Sequence, residues 1–355
     1  MCACAPVRSD RPAAVAPPSG LPVLTFLSEF TRPFGTVYPQ LADSAKFGSM
    51  SGLALDTDSG EWLSVIDDRA GTRVAWLSIA AVSGRLQVAP TRVQYLQAGP
   101  GVDSRIATQA DLEAIVALPD GTFLMSEEGH ITKDGVWPPA ILQVTRDGVV
   151  TGVVGYPPEF QISADGKSGI RDNQGFESLT RTPGGRLIAG LEQPLLDEPV
   201  TTTEHGGRGR LIEFEHRGQA WTPGRQWQYQ IAPSLHVPGY PNGCSDGENG
   251  LVELLALTET TLIAMERACW LNAAGGPANV IQLFAVTLSG NTARKTLLLD
   301  LSTLAPKLSP ALAHLDNFEG LAFGPPVAGR PTLLVMSDDN FRPTQNTSFL
   351  LFGMR

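Results

Sequence analysis

Residues Asp111–Glu128 read DLEAIVALPDGTFLMSEE: an acidic start, a short apolar run, a Pro-Asp-Gly turn, a second apolar run and a closing pair of acids. The apolar residues fall at period two or in short buried-type runs on either side of a hairpin turn. That arrangement predicts two antiparallel strands, not a helix. The same pattern recurs upstream as SMSGLALDTDSGEWLSVIDD (Ser49–Asp68). Downstream it recurs as GFESLTRTPGGRLIAGLEQ (Gly175–Gln193), GLVELLALTETTLIAMERA (Gly250–Ala268) and NFEGLAFGPPVAGRPTLLVMSDDN (Asn317–Asn340). Self-similarity at a regular interval is the signature of a repeat architecture, and it decides the fold before any single residue does.

The first strand of these units carries Glu113, Glu177, Glu253 and Glu319, with Ser51 at the equivalent place in the first. Successive separations are 62, 64, 76 and 66 residues, which suits one four-stranded propeller blade per unit. A third apolar strand follows each unit: RVAWLSIA, AILQVT, GRLIEFE, VIQLFAVTL and SFLLFGM. A fourth follows in all but the last: QVAPTRVQYL, VVTGVVGY, WQYQIA and KTLLLDL. The chain stops at Arg355 after the last third strand, and LPVLTFLSEF (Leu21–Phe30) stands before the first unit as each fourth strand stands before the next. The expected fold is all-β: one β-propeller over residues 21–355, with four-stranded blades, five by repeat count, closed by the N-terminal strand. A six-bladed ring, with an extra blade inside residues 194–250, is the alternative. A closed ring offers no free edge, so a monomer is expected.

The chain has 355 residues, of which 42% are hydrophobic and 17% charged, with 37 Gly and 28 Pro, as many short strands joined by turns require. Its net charge of −10 argues against nucleic-acid binding, which needs a basic footprint. No apolar run reaches the roughly 20 residues that span a bilayer. Residues 1–20 are small, Pro-rich and without periodicity, so they are expected to be a disordered tether outside the fold. They resemble the mature start of a bacterial lipoprotein with Cys2 or Cys4 as lipid anchor; a misplaced start codon or a cloning remnant is the alternative. Cys244 and Cys269 fall in loops on the same side of the fourth unit and are expected to form a disulfide, which agrees with an oxidising compartment. The expected location is periplasmic, outer-membrane-anchored or secreted. The spacing of Cys and His fits no structural zinc site.

Strands of a blade run antiparallel, so the start of the first and the end of the second share one face. The first set of acids is therefore expected to meet the second set (Asp67/Asp68, Glu127/Glu128, Glu192, Glu266, Asp338/Asp339) at the mouth of the central channel. Like charges so close need a cation. A ring of carboxylate and amide oxygens is hard-cation chemistry, and Ca²⁺ accepts the irregular geometry better than Mg²⁺. The ligand candidates are Glu113, Glu177, Glu253, Glu319 and Asp338. The other reading of the recurring Glu is structural: each satisfies backbone N–H groups at a strand start. Arg267 and Arg171 are candidates for an anionic substrate or for an ion pair, and Asn340 is a candidate substrate contact. His130, His205 and His236 read as loop residues, and a Ser-His-Asp triad has no sequence support.

The segments DLEAIVALPDGTFLMSEE, GFESLTRTPGGRLIAGLE, LIAMERA and NFEGLAFGP followed by LLVMSDDNF resemble the bacterial phytase-like family, described by its esterase-like activity. The resemblance covers about residues 45–355 and implies a secreted or envelope propeller acting on phosphate or carboxylate esters. Ser51 departs from the acidic pattern, and the chain lacks a dense Lys/Arg cluster, so a highly phosphorylated inositol is not the expected substrate. In the expected mechanism Ca²⁺ polarises the ester, Glu127 or Glu266 serves as general base, and Arg267 stabilises developing negative charge. A non-catalytic binding propeller and a lactonase-type enzyme are the alternatives.

Overall fold

The computed structural model describes residues 20–355 apart from 134, 164, 219, 245–248 and 313. The tether and the proposed anchors Cys2 and Cys4 lie outside the described residues. The chain is all-β, with one short α-helix, Ile106–Gln109, and a few 3-10 turns among the described residues. Among the described residues no helix is long and apolar enough to cross a membrane.

The strands group into four-stranded antiparallel units, in which each strand pairs with its sequence neighbour. The first unit is Met50–Asp56, Glu61–Ile66, Arg73–Val82 and Arg85–Tyr95. The second is Leu112–Ala117, Phe123–Glu127, Ala140–Val144 and Val149–Val154, and the third is Phe176–Arg181, Leu187–Leu191, Arg208–Arg217 and Ala220–Gln230. The fourth is Asn249–Ala256, Thr261–Leu271, Pro277–Ser289 and Thr292–Asp300. The fifth has Asn317–Val327, Arg330–Asp338 and Asn346–Met354, and its outer strand is the N-terminal Leu24–Pro33, paired antiparallel with Asn346–Met354. Backbone bonds between Val23 and Arg355 extend that pairing by one more pair.

The first strands of the units touch in a circuit: Met50–Asp56 lies against Leu112–Ala117, that strand against Phe176–Arg181, then Asn249–Ala256, then Asn317–Val327, which returns to Met50–Asp56. The outer edges are less separate than the sequence suggests. Gln228 and Tyr229 pair in parallel with Thr292 and Ala293, joining the third and fourth units into one sheet.

Apolar side chains fill every junction of the circuit. Trp76 and Leu63 of the first unit pack with Leu112 and Phe123 of the second. Ile141 of the second meets Phe176 and Phe214 of the third. Ile188 and Trp227 meet Leu254 and Phe284, Val252 and Leu283 meet Phe318 and Phe352, and Leu334 and Phe349 return to Met50 and Trp62. Burying each such side chain stabilises by about 1.5–3 kcal/mol, so the units hold one another. Polar ties reinforce the junctions, as where Arg146 of the second unit pairs with Asp56 of the first at 2.8 Å.

Candidate functional site

Each inner strand changes register near its start: between Ser51 and Ala54, Leu112 and Ile115, Phe176 and Ser178, Leu251 and Glu253, and Phe318 and Gly320. A β-bulge inserts extra residues and re-aims their side chains. In the second, third and fifth units the bulge takes in Glu113, Glu177 and Glu319, and all three line one cleft. In the fourth unit it falls one residue earlier, on Val252, and Glu253 stays in the ladder opposite Met265. Glu253 therefore does not line the cleft. Its Oε1 accepts the N–H groups of Leu254 (2.9 Å) and of Leu179 (3.3 Å) in the neighbouring unit. This recurring Glu is a joint between units.

Glycine permits two of the close approaches around the cleft. Gly52, at φ +51°, could not carry a Cβ, which would lie 2.6 Å from Ala114 Cα. A Cβ on Gly175 would lie 1.8 Å from the Glu128 carbonyl oxygen.

The ends of the second strands supply the rest of the ring. Aligning LSVID, MSEE, AGLE, AMER and VMSD places Asp67, Glu128, Glu192, Arg267 and Asp338 at equivalent positions. The first four line the cleft. Their strand neighbours point the other way, because successive side chains alternate between faces. Glu127 accepts the N–H groups of Asp111 (3.2 Å) and Gly129 (3.0 Å) and lies 3.7 Å from His130 Nδ1. Glu266, fully buried, accepts from Tyr229 Oη (2.6 Å), Asn249 Nδ2 (2.9 Å) and the Ala232 N–H (3.0 Å), and pairs with Lys295. Both expected general bases are thus placed away from the cleft, with their oxygens engaged. Glu128 and Glu192 take the cleft positions.

The cleft, of about 430 Å³, opens where the inner strands begin. On one side acids dominate, with Arg69 bound to Asp111. Carboxylate oxygens of Asp67, Asp111 and Glu113 lie within 4.8 Å of one another, and so do those of Glu113, Glu128 and Glu177. Burial, and then the Glu177, Asp67 and Glu128 charges, push the Glu113 carboxyl well above the usual range. Glu128, Glu177 and Asp67 are raised for the same two reasons. Asp111 differs: burial pushes it up, but hydrogen bonds with Asp67 and Arg69 outweigh this and hold it low. Oxygens bound to one Ca²⁺ sit at most about 5 Å apart, twice the 2.3–2.6 Å bond, so this donor set fits that ion. Its all-oxygen chemistry does not suit zinc.

On the other side Arg267 pairs with Glu319 at 2.9 Å and lies 3.8 Å from Glu192. Glu319 also accepts from Ser51 Oγ (2.9 Å) and Asn317 Nδ2 (2.8 Å), so the hydroxyl in the first unit serves the acid of the fifth. Burial lifts Glu192 to about 7 against the opposing pull of Arg267. Asp338 is buried; burial and the Glu319 charge raise it, its Oδ1 accepts the Asn340 N–H at 2.6 Å, and its Oδ2 has no hydrogen-bond partner among the described residues. Asn340 lines the cleft from a left-handed backbone, φ +49°. Arg171 does not line it: its guanidinium donates to the carbonyls of Pro194 (3.0 Å), Leu195 (3.2 Å) and Glu198 (2.6 Å). Cys244 and Cys269 are disulfide-bonded at the rim, with Cα atoms 5.3 Å apart. His130 stacks on Trp137, with centroids 5.9 Å apart, and is not in the cleft.

Asp111 and the choice of Glu128 over Glu127 escaped the reading of the sequence. Counting strand alternation from the ladder ends would have found the second; the bulge that redirects Glu113 leaves no mark in composition.

Residues 45–341 match the phytase-like family model, described as esterase-like activity of phytase. No curated protein matches. Similar solved structures include an endo-arabinase from Bacteroides thetaiotaomicron (11% identity, 91% of this chain and 96% of that one, TM-score 0.45). A gluconolactonase from Xanthomonas campestris is 10% identical, covering 96% of this chain and 100% of the other, at TM-score 0.37. The soluble aldose sugar dehydrogenase of Escherichia coli is 13% identical over 94% and 99%, at TM-score 0.36.

Proposed function

The chain belongs to the phytase-like family described by esterase-like activity, and on that premise we propose that it is a Ca²⁺-dependent hydrolase of phosphate or carboxylate esters acting at the acidic cleft. The observation that carries this reading is the cluster of Glu113, Glu128 and Glu177, buried carboxylates within 4.8 Å of one another. So many buried acids facing each other are costly unless a cation joins them. Asp67, Glu113, Glu128 and Glu177 would hold the ion, which supplies Lewis-acid polarisation of the ester when bound. Arg267 lies across the cleft, where it can meet negative charge developing on the substrate. Glu192 stands beside it, without the internal hydrogen bonds that hold Glu127 and Glu266, and is placed to accept a proton from an attacking water.

The circuit of inner strands supports a closed ring of five blades, and the disulfide supports a periplasmic, envelope-anchored or secreted location. The net charge of −10, with few cations in the cleft, favours neutral or lightly charged esters over polyphosphates. Hydrolysis of model phosphate and carboxylate esters with Ca²⁺ and with EDTA tests the reading. A loss of more than about tenfold on chelation and in Glu177→Gln is expected. Turnover that ignores both changes would remove the metal mechanism.

A further inference from the structure

At the opposite end of the inner strands from the acidic cleft lies a pocket of about 450 Å³. The inner strand of every unit contributes to it, and each supplies a half-buried residue: Leu55, Ala117, Arg181, Leu255 and Phe323. Most of the remaining lining is apolar, and its polar members are engaged or stand at the edge. Thr180 Oγ1 accepts the Ala256 N–H (2.8 Å), and Thr332 Oγ1 donates to the Pro325 carbonyl (2.8 Å). Trp62 Nε1 donates to the Phe323 carbonyl (3.3 Å), and Thr57 is exposed at the rim. In a chain of net charge −10, no Asp, Glu or Lys among the described residues lines this pocket, and Arg181 is its one charged group.

The guanidinium of Arg181 has no hydrogen bond or ion pair among the described residues. Arginines nearby are committed: Arg186 pairs with Glu213 (2.9 Å) and Glu259 (3.2 Å), and Arg146 with Asp56 (2.8 Å). Arg181 also borders a neighbouring groove with Asp120 and Glu215, and pairs with neither. Being half-buried, it keeps part of its surface open to a ligand. The volume falls within the roughly 300–1,000 Å³ of small-molecule sites, where apolar walls supply burial and a few polar groups fix orientation. A guanidinium without a carboxylate partner selects an anion, which it can grip with two parallel N–H groups. We propose that this pocket binds a small amphipathic anion, an aliphatic carboxylate whose tail lies among Leu55, Ala117, Leu255 and Phe323 and whose head meets Arg181. The site is separate from the acidic cleft and does not depend on the ester-hydrolase reading.

The test is calorimetric titration of the whole chain with octanoate, in EDTA so that no metal in the cleft can hold the carboxylate. Butyrate lacks the tail, and octanamide lacks the charge. Each buried methylene favours binding about fourfold, so octanoate should bind at least about tenfold tighter than butyrate. It should also bind at least about threefold tighter than octanamide, as a partly exposed ion pair allows. Arg181→Met should bring octanoate and octanamide to the same affinity while keeping the melting temperature. Ala117→Phe, which narrows the pocket from the second unit, should weaken octanoate towards butyrate. Equal binding of octanoate and butyrate overturns the site, and so does a preference for octanoate over octanamide that survives Arg181→Met. If Ala117→Phe does not fold, the comparison in Arg181→Met decides alone.

Discussion

The two sides of the cleft are built from the same repeat and do opposite things with it. In the first three units Asp67, Glu113, Glu128 and Glu177 face one another, with Arg69 bound to Asp111 and the Arg267 charge reaching Glu177 from across the cleft. Across the cleft the equivalent second-strand position is Arg267, which pairs with Glu319 and approaches Glu192. One side brings its own cation; the other is short of one. A repeat that diverges at one position, an acid replaced by Arg, turns a uniform ring into a polarised site. The acid-rich side is where an external cation is worth most.

The largest effect should come from breaking the self-neutralised side. Arg267→Met leaves Glu192 and Glu319 buried without their cation, and losing one partner of a buried pair costs about 3–5 kcal/mol. Chemical unfolding should show a loss of that order; an unchanged midpoint would mean that the two sides do not differ as described. The next effect belongs to the acid-rich side. Ca²⁺ at 100 times its dissociation constant should stabilise by about 2.7 kcal/mol over EDTA. Glu113→Gln should abolish that response while leaving the metal-free protein no less stable. If Glu113→Gln responds to Ca²⁺ like the native chain, the ion binds elsewhere.

The metal-free protein should also lose stability as pH rises. Glu192 is lifted from 4.5 to about 7 and Asp316 from 3.8 to about 6, chiefly by burial. A carboxyl raised on folding binds its proton more tightly in the native state, so its contribution is full below the unfolded value and is lost as pH climbs through the folded one. Melting temperature in EDTA should therefore fall between about pH 4 and 7, and saturating Ca²⁺ should flatten the fall. A metal-free melting temperature that climbs across that window contradicts the assignment. The smallest effect is Ser51→Ala, which removes one donor from Glu319, still held by Arg267 and Asn317. A loss of at most about 1.5 kcal/mol, with the Ca²⁺ response intact, is expected from denaturant titration.

The repeat, the strand count per unit and the closure by the N-terminal strand were legible because alternation and turn residues are local signals. The meeting of Glu113, Glu177 and Glu319 at one mouth followed from strand parity. Glu127 and Glu266 looked equally suited to the cleft, but only one of two adjacent strand residues can face it, and the ladder register chooses Glu128 and Arg267. Glu253 looked like its three counterparts until the bulge fell on Val252 instead. Arg171 lies in a loop, and its carbonyl partners Pro194, Leu195 and Glu198 are more than twenty residues away.

The sequence by itself determined which residues recur and on which face of the ring they gather, since period and turn chemistry depend on near neighbours along the chain. Only the tertiary structure decided which acids look into the cleft, which brace the units, and where Arg267 divides the ring. Those outcomes depend on bulge position and ladder register, which are set by packing against strands far away in sequence.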